Sequence, residues 1–126
     1  MIKDFTDLDA WQKGHQLVLE IYRLAKSFPK DELFALTIQI RRAAISVTSN
    51  IAEGFGRISI KEKIHFYFIA QGSITELQNQ LIIARDLDYL SGDNFENCLR
   101  LSRNTAQIIS GLIRSCKARL SRTPGY

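Results

Sequence analysis

The side chains able to bind or react are few, and their spacing suits catalysis poorly. Glu62 and His65 form one E-x-x-H pair, the unit that di-iron helical bundles use in duplicate on facing helices. The other histidine, His15, has Gln12 at the same spacing, so the second half of such a site is missing. Glu62 is also expected to close a capping box on Ser59. Cys98 and Cys116 lie eighteen residues apart. On one helix they share a face but are separated by about 27 Å, too far for a disulfide, and read as small core residues. The sequence has no G-x-S-x-G elbow, no serine–histidine–carboxylate arrangement and no glycine-rich phosphate cradle. The reading is therefore of a protein that is not an enzyme, with no metal, no cofactor and no small-molecule substrate identified.

Charge is the more promising chemistry. The net charge is only +4, but it is unevenly spread. Residues 1–40 hold five bases and six acids, whereas beyond Glu96 there are six bases and no acid. At helical period Arg100, Arg103, Arg114 and Lys117 fall within an arc of about 100°, opposite Cys98, Thr105, Ile109, Leu112 and Cys116. Such a stripe is either a solvated helix face or a contact for the phosphates of a nucleic acid. It carries no aromatic residue of its own for stacking on bases. Arg119, Arg122 and Arg57 are expected to assist it.

These residues need elements to hold them, and every long segment repeats at the helical period. A 45% hydrophobic and 24% charged composition is that of a folded globular domain. Helices are expected at about 8–28, 31–53, 59–88 and 93–120, with a frayed tail at 121–126. Thr6 or Asp7 caps the first, and Pro29 stops it. Gly54 and Gly56 end the second as left-handed turns. Ser59 with Glu62 and Asp93 with Glu96 supply capping boxes for the third and fourth. Short connections force antiparallel neighbours, so the fold class is all-α, an antiparallel up-down-up-down four-helix bundle in one domain over residues 1–126. No apolar run spans a membrane, and the acidic start MIKDFTDLDAW lacks the apolar core of a secretory signal, so a cytoplasmic location is expected.

The segment QIRRAAISVTSNIAEGFGR, Gln39 to Arg57, carries apolar or small residues on more than one face. Ile40, Ala44, Val47 and Ile51 form one stripe, while Ala43, Ile45 and Ala52 occupy sides that an isolated surface helix leaves polar. This helix is expected to pack on the core and on a subunit interface. Its polar residues Arg41, Arg42, Asn50 and Glu53, with Ser73 and Glu76 on the third helix, form a candidate network. Arg41 or Arg42 bonded to Glu76 would fix helix register. Gly72-Ser73, interrupting a strong helix, suggests a close helix approach.

With FYFIAQGSITELQNQL (Phe66 to Leu81) and LDAWQKGHQLVLEIYRLAKSFPKDE (Leu8 to Glu32), this segment closely resembles the four-helix-bundle family of 23S ribosomal RNA intervening-sequence proteins. RRAA, SNIAEG and A-x-G-S followed by a glutamate carry the likeness, which weakens through the fourth helix. Thr48 stands where the family usually has proline, so a straighter second helix is expected. The resemblance implies a ring-like homopentamer, and similarity to accessory proteins of diversity-generating retroelements, which bind nucleic acid. It brings no catalytic residue. The functional expectation is a non-enzymatic, oligomeric nucleic-acid-binding protein that engages RNA through backbone phosphates. The alternative is a homo-oligomeric protein-interaction scaffold without nucleic-acid binding.

Overall fold

Asp4 organises the first ordered turn. Its carboxylate accepts from the backbone of Thr6 at 2.8 Å and from the Thr6 hydroxyl, while Asp7 returns a bond to the Asp4 N–H. This capped 3-10 turn, Phe5–Asp7, leads into α1, Asp9–Ala25. The expected cap of α1 by Thr6 or Asp7 is corrected: both residues belong to the 3-10 turn that Asp4 caps, and the N-cap position of α1 falls on Leu8, which has no side-chain cap bond. The computed structural model describes residues 1–122, so residues 123–126 of the expected tail lie outside the described residues.

Between α1 and the next long helix the chain makes a 3-10 turn, Lys30–Glu32, and a π-helical turn, Leu33–Thr37. Ala35 leaves helical geometry there, at φ −124° and ψ −105°. Only then does α2, Ile38–Gly56, begin, seven residues later than the sequence pattern predicts. Leu33 and Phe34 are exposed, so the early apolar residues that mimic a helical stripe have no core to face. From Ile38, α2 runs uninterrupted through Thr48, whose hydroxyl donates back to the Ile45 carbonyl at 3.1 Å.

Gly54 and Gly56 lie inside α2, and neither adopts a positive φ. The expectation of left-handed turns is corrected. Gly54 is glycine because a Cβ there would stand 2.7 Å from the Tyr67 ring of the following helix. That helix, α3, spans Ile60–Asp86 and starts where expected, with Ser59 accepting from the Glu62 N–H at 3.4 Å. The last helix, α4, spans Gly92–Ser121. Its cap is Ser91, which accepts from Asn94 at 3.1 Å, and Asp93 falls in the first turn. A serine two residues upstream pre-empts the aspartate because both side chains cap well.

The principal contacts run α1 to α2, α2 to α3, α3 to α4 and α4 back to α1, a square antiparallel bundle. One end of the core gathers Leu17, Ile21, Phe28, Ile40, Leu81, Phe95 and Cys98. The other gathers Val47, Ile51, Tyr67, Ile74, Ile109 and Cys116. Each cysteine is a free, buried thiol in its own half of the core. Burial pushes the Cys98 thiol up to about 12 and raises that of Cys116 as well. Two glutamines tie α3 to α4: Gln71 donates to the Ser110 hydroxyl at 2.7 Å and Gln78 to the Ser102 hydroxyl at 3.1 Å.

Candidate nucleic-acid interface

The buried side of α4 is set by Phe95, Cys98, Ser102, Thr105, Ile109, Ile113 and Cys116, and that phase turns Arg100, Arg103, Arg114 and Lys117 outward. All four are exposed. The stripe is about 26 Å long at about 1.5 Å rise per residue. Arg100 is steadied by Asn97 at 3.4 Å. Lys117 reaches over the ring of Phe68 on α3, its ammonium 5.1 Å from the centroid.

Phe68 changes the chemistry of this face. It is 50% exposed, so α3 supplies the aromatic surface that α4 lacks. Lys61 and His65, also exposed, share its side of α3 at spacings of seven and three residues. A neighbouring helix placed these groups beside the stripe, and only the antiparallel register reveals it.

Arg119 and Arg57 do not join the stripe, and Arg122 falls about 40° outside its arc on the Arg100 side. Arg119 follows Lys117 by two residues, about 200° around the helix. It lines a cleft of about 300 Å³ with Leu8, Phe55, Lys63, Tyr67 and Cys116. Within that cleft Lys63 donates to the Phe55 carbonyl at 2.6 Å, and burial lowers its pKa. Burial likewise pushes the Tyr67 hydroxyl up to about 12. Arg122 is the C-cap of α4. Arg57 sits at the α2–α3 corner, paired with Glu53 at 3.1 Å and lying 4.7 Å over the Phe66 ring. Partial exposure on both sides makes that pair weak.

The expected polar network separates into parts. Ser46, not among its expected members, is the hub of one. It shares a hydrogen bond of 2.8 Å with Ser73, and its hydroxyl and carbonyl both accept from the Asn50 amide. Arg41 turns toward α1 instead and lies 5.0 Å over the Tyr22 ring. Arg42 is exposed, and Glu76 accepts from Gln80 on its own helix at 3.2 Å. The bond between Arg41 or Arg42 and Glu76 is therefore corrected: Glu76 is on the outer face of α3, and Arg41 is at the α1 side of α2. Gly72 also faces outward, with no atom within 4 Å of where a Cβ would be, so the close approach at Gly72-Ser73 belongs to Ser73.

The histidines take other work. His15 stacks on Trp11 at 4.7 Å between centroids, and His65 meets the edge of Phe66. Among the described residues no three His, Cys, Asp or Glu side chains gather in the manner of metal ligands. None of the described helices is long and apolar enough to cross a membrane. The outer faces of α2 and α3 carry exposed apolar side chains, Ile45 on the first and Phe68, Ile69, Ile82 and Ile83 on the second, with Leu87 at the C-cap of α3.

A sequence profile described as "23S rRNA-intervening sequence protein" matches residues 6–111. The chain belongs to that family. The match reaches further into α4 than the motifs alone carry it, and it includes Arg100 and Arg103 but not Arg114 or Lys117. A crystal structure of a protein of unknown function from the S23 ribosomal protein family of Bacteroides thetaiotaomicron has the same fold as this intervening-sequence family chain. The TM-score is 0.77 at 21% identity, covering 83% of this chain and 95% of that one. No curated protein matches.

Proposed function

We propose that this family member is a non-enzymatic, homo-oligomeric nucleic-acid-binding protein of the cytoplasm that engages RNA through backbone phosphates. The observation that carries the reading is the exposed row Arg100, Arg103, Arg114 and Lys117 on a helix with no acid beyond Glu96. Phe68, half-exposed beneath Lys117, adds a ring on which an unpaired base can stack. Arg119 and Arg57 belong to other faces, and with Arg122 at the end of α4 they contribute long-range attraction. The mechanism is electrostatic: cations displace condensed counterions from the strand, and affinity falls as salt rises. Titration of generic RNA at about 50 and about 200 mM salt tests it. Absence of binding at the lower salt overturns the reading.

Self-association, as a pentamer by family resemblance, is supported by the exposed apolar side chains of α2 and α3. Burying such residues against a second copy gives the association its driving force. The same faces favour a second reading, a homo-oligomeric scaffold for other proteins whose basic stripe is solvated. Solution mass measured with and without nuclease separates the two: an assembly that carries and releases nucleic acid supports the first, and partners retained after nuclease support the second.

A further inference from the structure

The corner where α1 ends and α2 begins holds a cleft of about 250 Å³, away from the α3–α4 face. Three cations line it, Lys26, Lys30 and Arg41, and no acid does. Asp31 and Glu32 follow Lys30 on the connecting turn, but neither lines the cleft, and Glu32 accepts from the Tyr89 hydroxyl at 2.8 Å. Phe28 and Leu33 supply apolar wall.

Arg41 is the informative residue. The Tyr22 ring holds its guanidinium at 5.0 Å, which limits the rotamers it can sample. Its Nε is buried and has no acceptor. A guanidinium presents five N–H donors, and a buried one left unused marks either a cost to the fold or a missing partner. Thr37, 3% exposed, also lines the cleft, and its hydroxyl makes no capping bond to α2. Fixed guanidinium, two flexible ammonium groups and a hydroxyl together match a tetrahedral dianion better than a flat monoanion, because each oxygen needs its own donor.

We propose that this cleft binds a phosphate monoester, with Arg41 and Thr37 as the fixed donors and Lys26 and Lys30 as the closing charges. The volume limits the part of the ligand inside the cleft, so the phosphate belongs either to a small free phosphomonoester or to the end of a nucleic-acid strand whose remainder lies outside. The site goes beyond the nucleic-acid reading and does not depend on it.

The probe is phenyl phosphate, titrated by calorimetry into the full chain, and saturable binding is expected. Lys26→Gln/Lys30→Gln and, separately, Arg41→Gln should each weaken it by about tenfold or more, the loss expected for charge-assisted hydrogen bonds. The two lysines are exposed, so the lysine variant reports on binding even if Arg41→Gln fails to fold. Neutralising the α4 stripe should leave the phenyl phosphate affinity unchanged. Absence of saturable binding, full affinity in the lysine variant, or equal loss in the α4 variant each overturns the proposal. Oligoribonucleotides with and without a 5′-phosphate identify the source. A preference for the phosphorylated strand that disappears in the lysine variant assigns a nucleic-acid end. Equal binding of the two strands, with phenyl phosphate bound, assigns a free monoester.

Discussion

Replacing Arg100, Arg103, Arg114 and Lys117 together by glutamine should abolish most of the salt dependence of RNA binding. The magnitude follows from the geometry. A stripe about 26 Å long faces about seven phosphates of one strand at about 3.4 Å each, so all four cations can be engaged at once. Four contacts to a single strand give a slope of about −3 in log affinity against log salt. Raising salt from about 50 to about 200 mM should then weaken wild-type binding about 50-fold, and a duplex, with its steeper slope, about 150-fold. The quadruple variant should show a nearly flat response, with a melting temperature close to wild type because all four side chains are exposed. Fluorescence anisotropy with a labelled single strand measures the slope. Phe68→Ala in the same assay should cost about 1–3 kcal/mol on a single strand, from lost base stacking, and little on a duplex. An unchanged slope in the quadruple variant, with binding retained, would refute the assignment of the stripe.

Gly54→Ala should destabilise the fold by about 1–3 kcal/mol in urea denaturation, since its Cβ would stand 2.7 Å from the buried Tyr67 ring; an unmoved midpoint disproves the close-approach account. Alkaline pH should weaken the fold through Cys98, whose thiol is pushed up to about 12 from an ordinary 9.0 by burial. The folded state favours the protonated thiol, so that contribution is intact below about pH 9 and is lost as the pH climbs toward 12; Cys98→Ala should flatten the fall in midpoint between about pH 8 and about pH 10.5. Ile83→Glu places a charge on the 40%-exposed apolar face of α3, and light scattering should then move toward the 14.4 kDa chain. A variant with wild-type mass shows that the face is not the contact.

Several features that spacing along one helix decides agree between the sequence pattern and the structure. The Ser59 cap, the burial of Ile40, Ala44, Val47 and Ile51, and the two core cysteines depend only on spacing along a helix. Some of the misses need a second helix, and others are local. Gly54 looks like a helix terminator until Tyr67 is placed against it. Arg41 offers its charge to any neighbour, and the choice of Tyr22 over Glu76 depends on which side of α2 faces α1. The π turn at Leu33–Thr37 is hidden because Leu33, Leu36 and Ile40 keep a plausible helical rhythm across it. At Ser91 and Asp93 two good caps compete within three residues, and composition does not rank them. The stripe itself was visible by periodicity, but its aromatic neighbour Phe68 was not, because it belongs to another helix.

The Gln71–Ser110 and Gln78–Ser102 bonds have a consequence for that neighbour. Two amide-to-hydroxyl links at separate heights act as a vernier between α3 and α4. Sliding α4 by one turn, about 5.4 Å, breaks both links and carries Lys117 off the Phe68 ring. The spacing of ring and charge is thus a calibrated length, kept by two uncharged side chains at the seam of the hairpin. A single-residue insertion in α4 between Ser102 and Ser110 should leave a folded helix yet rotate Arg114 and Lys117 by about 100° relative to Arg100 and Arg103. The stripe would become two half-stripes on different faces, with the same composition and the same net charge.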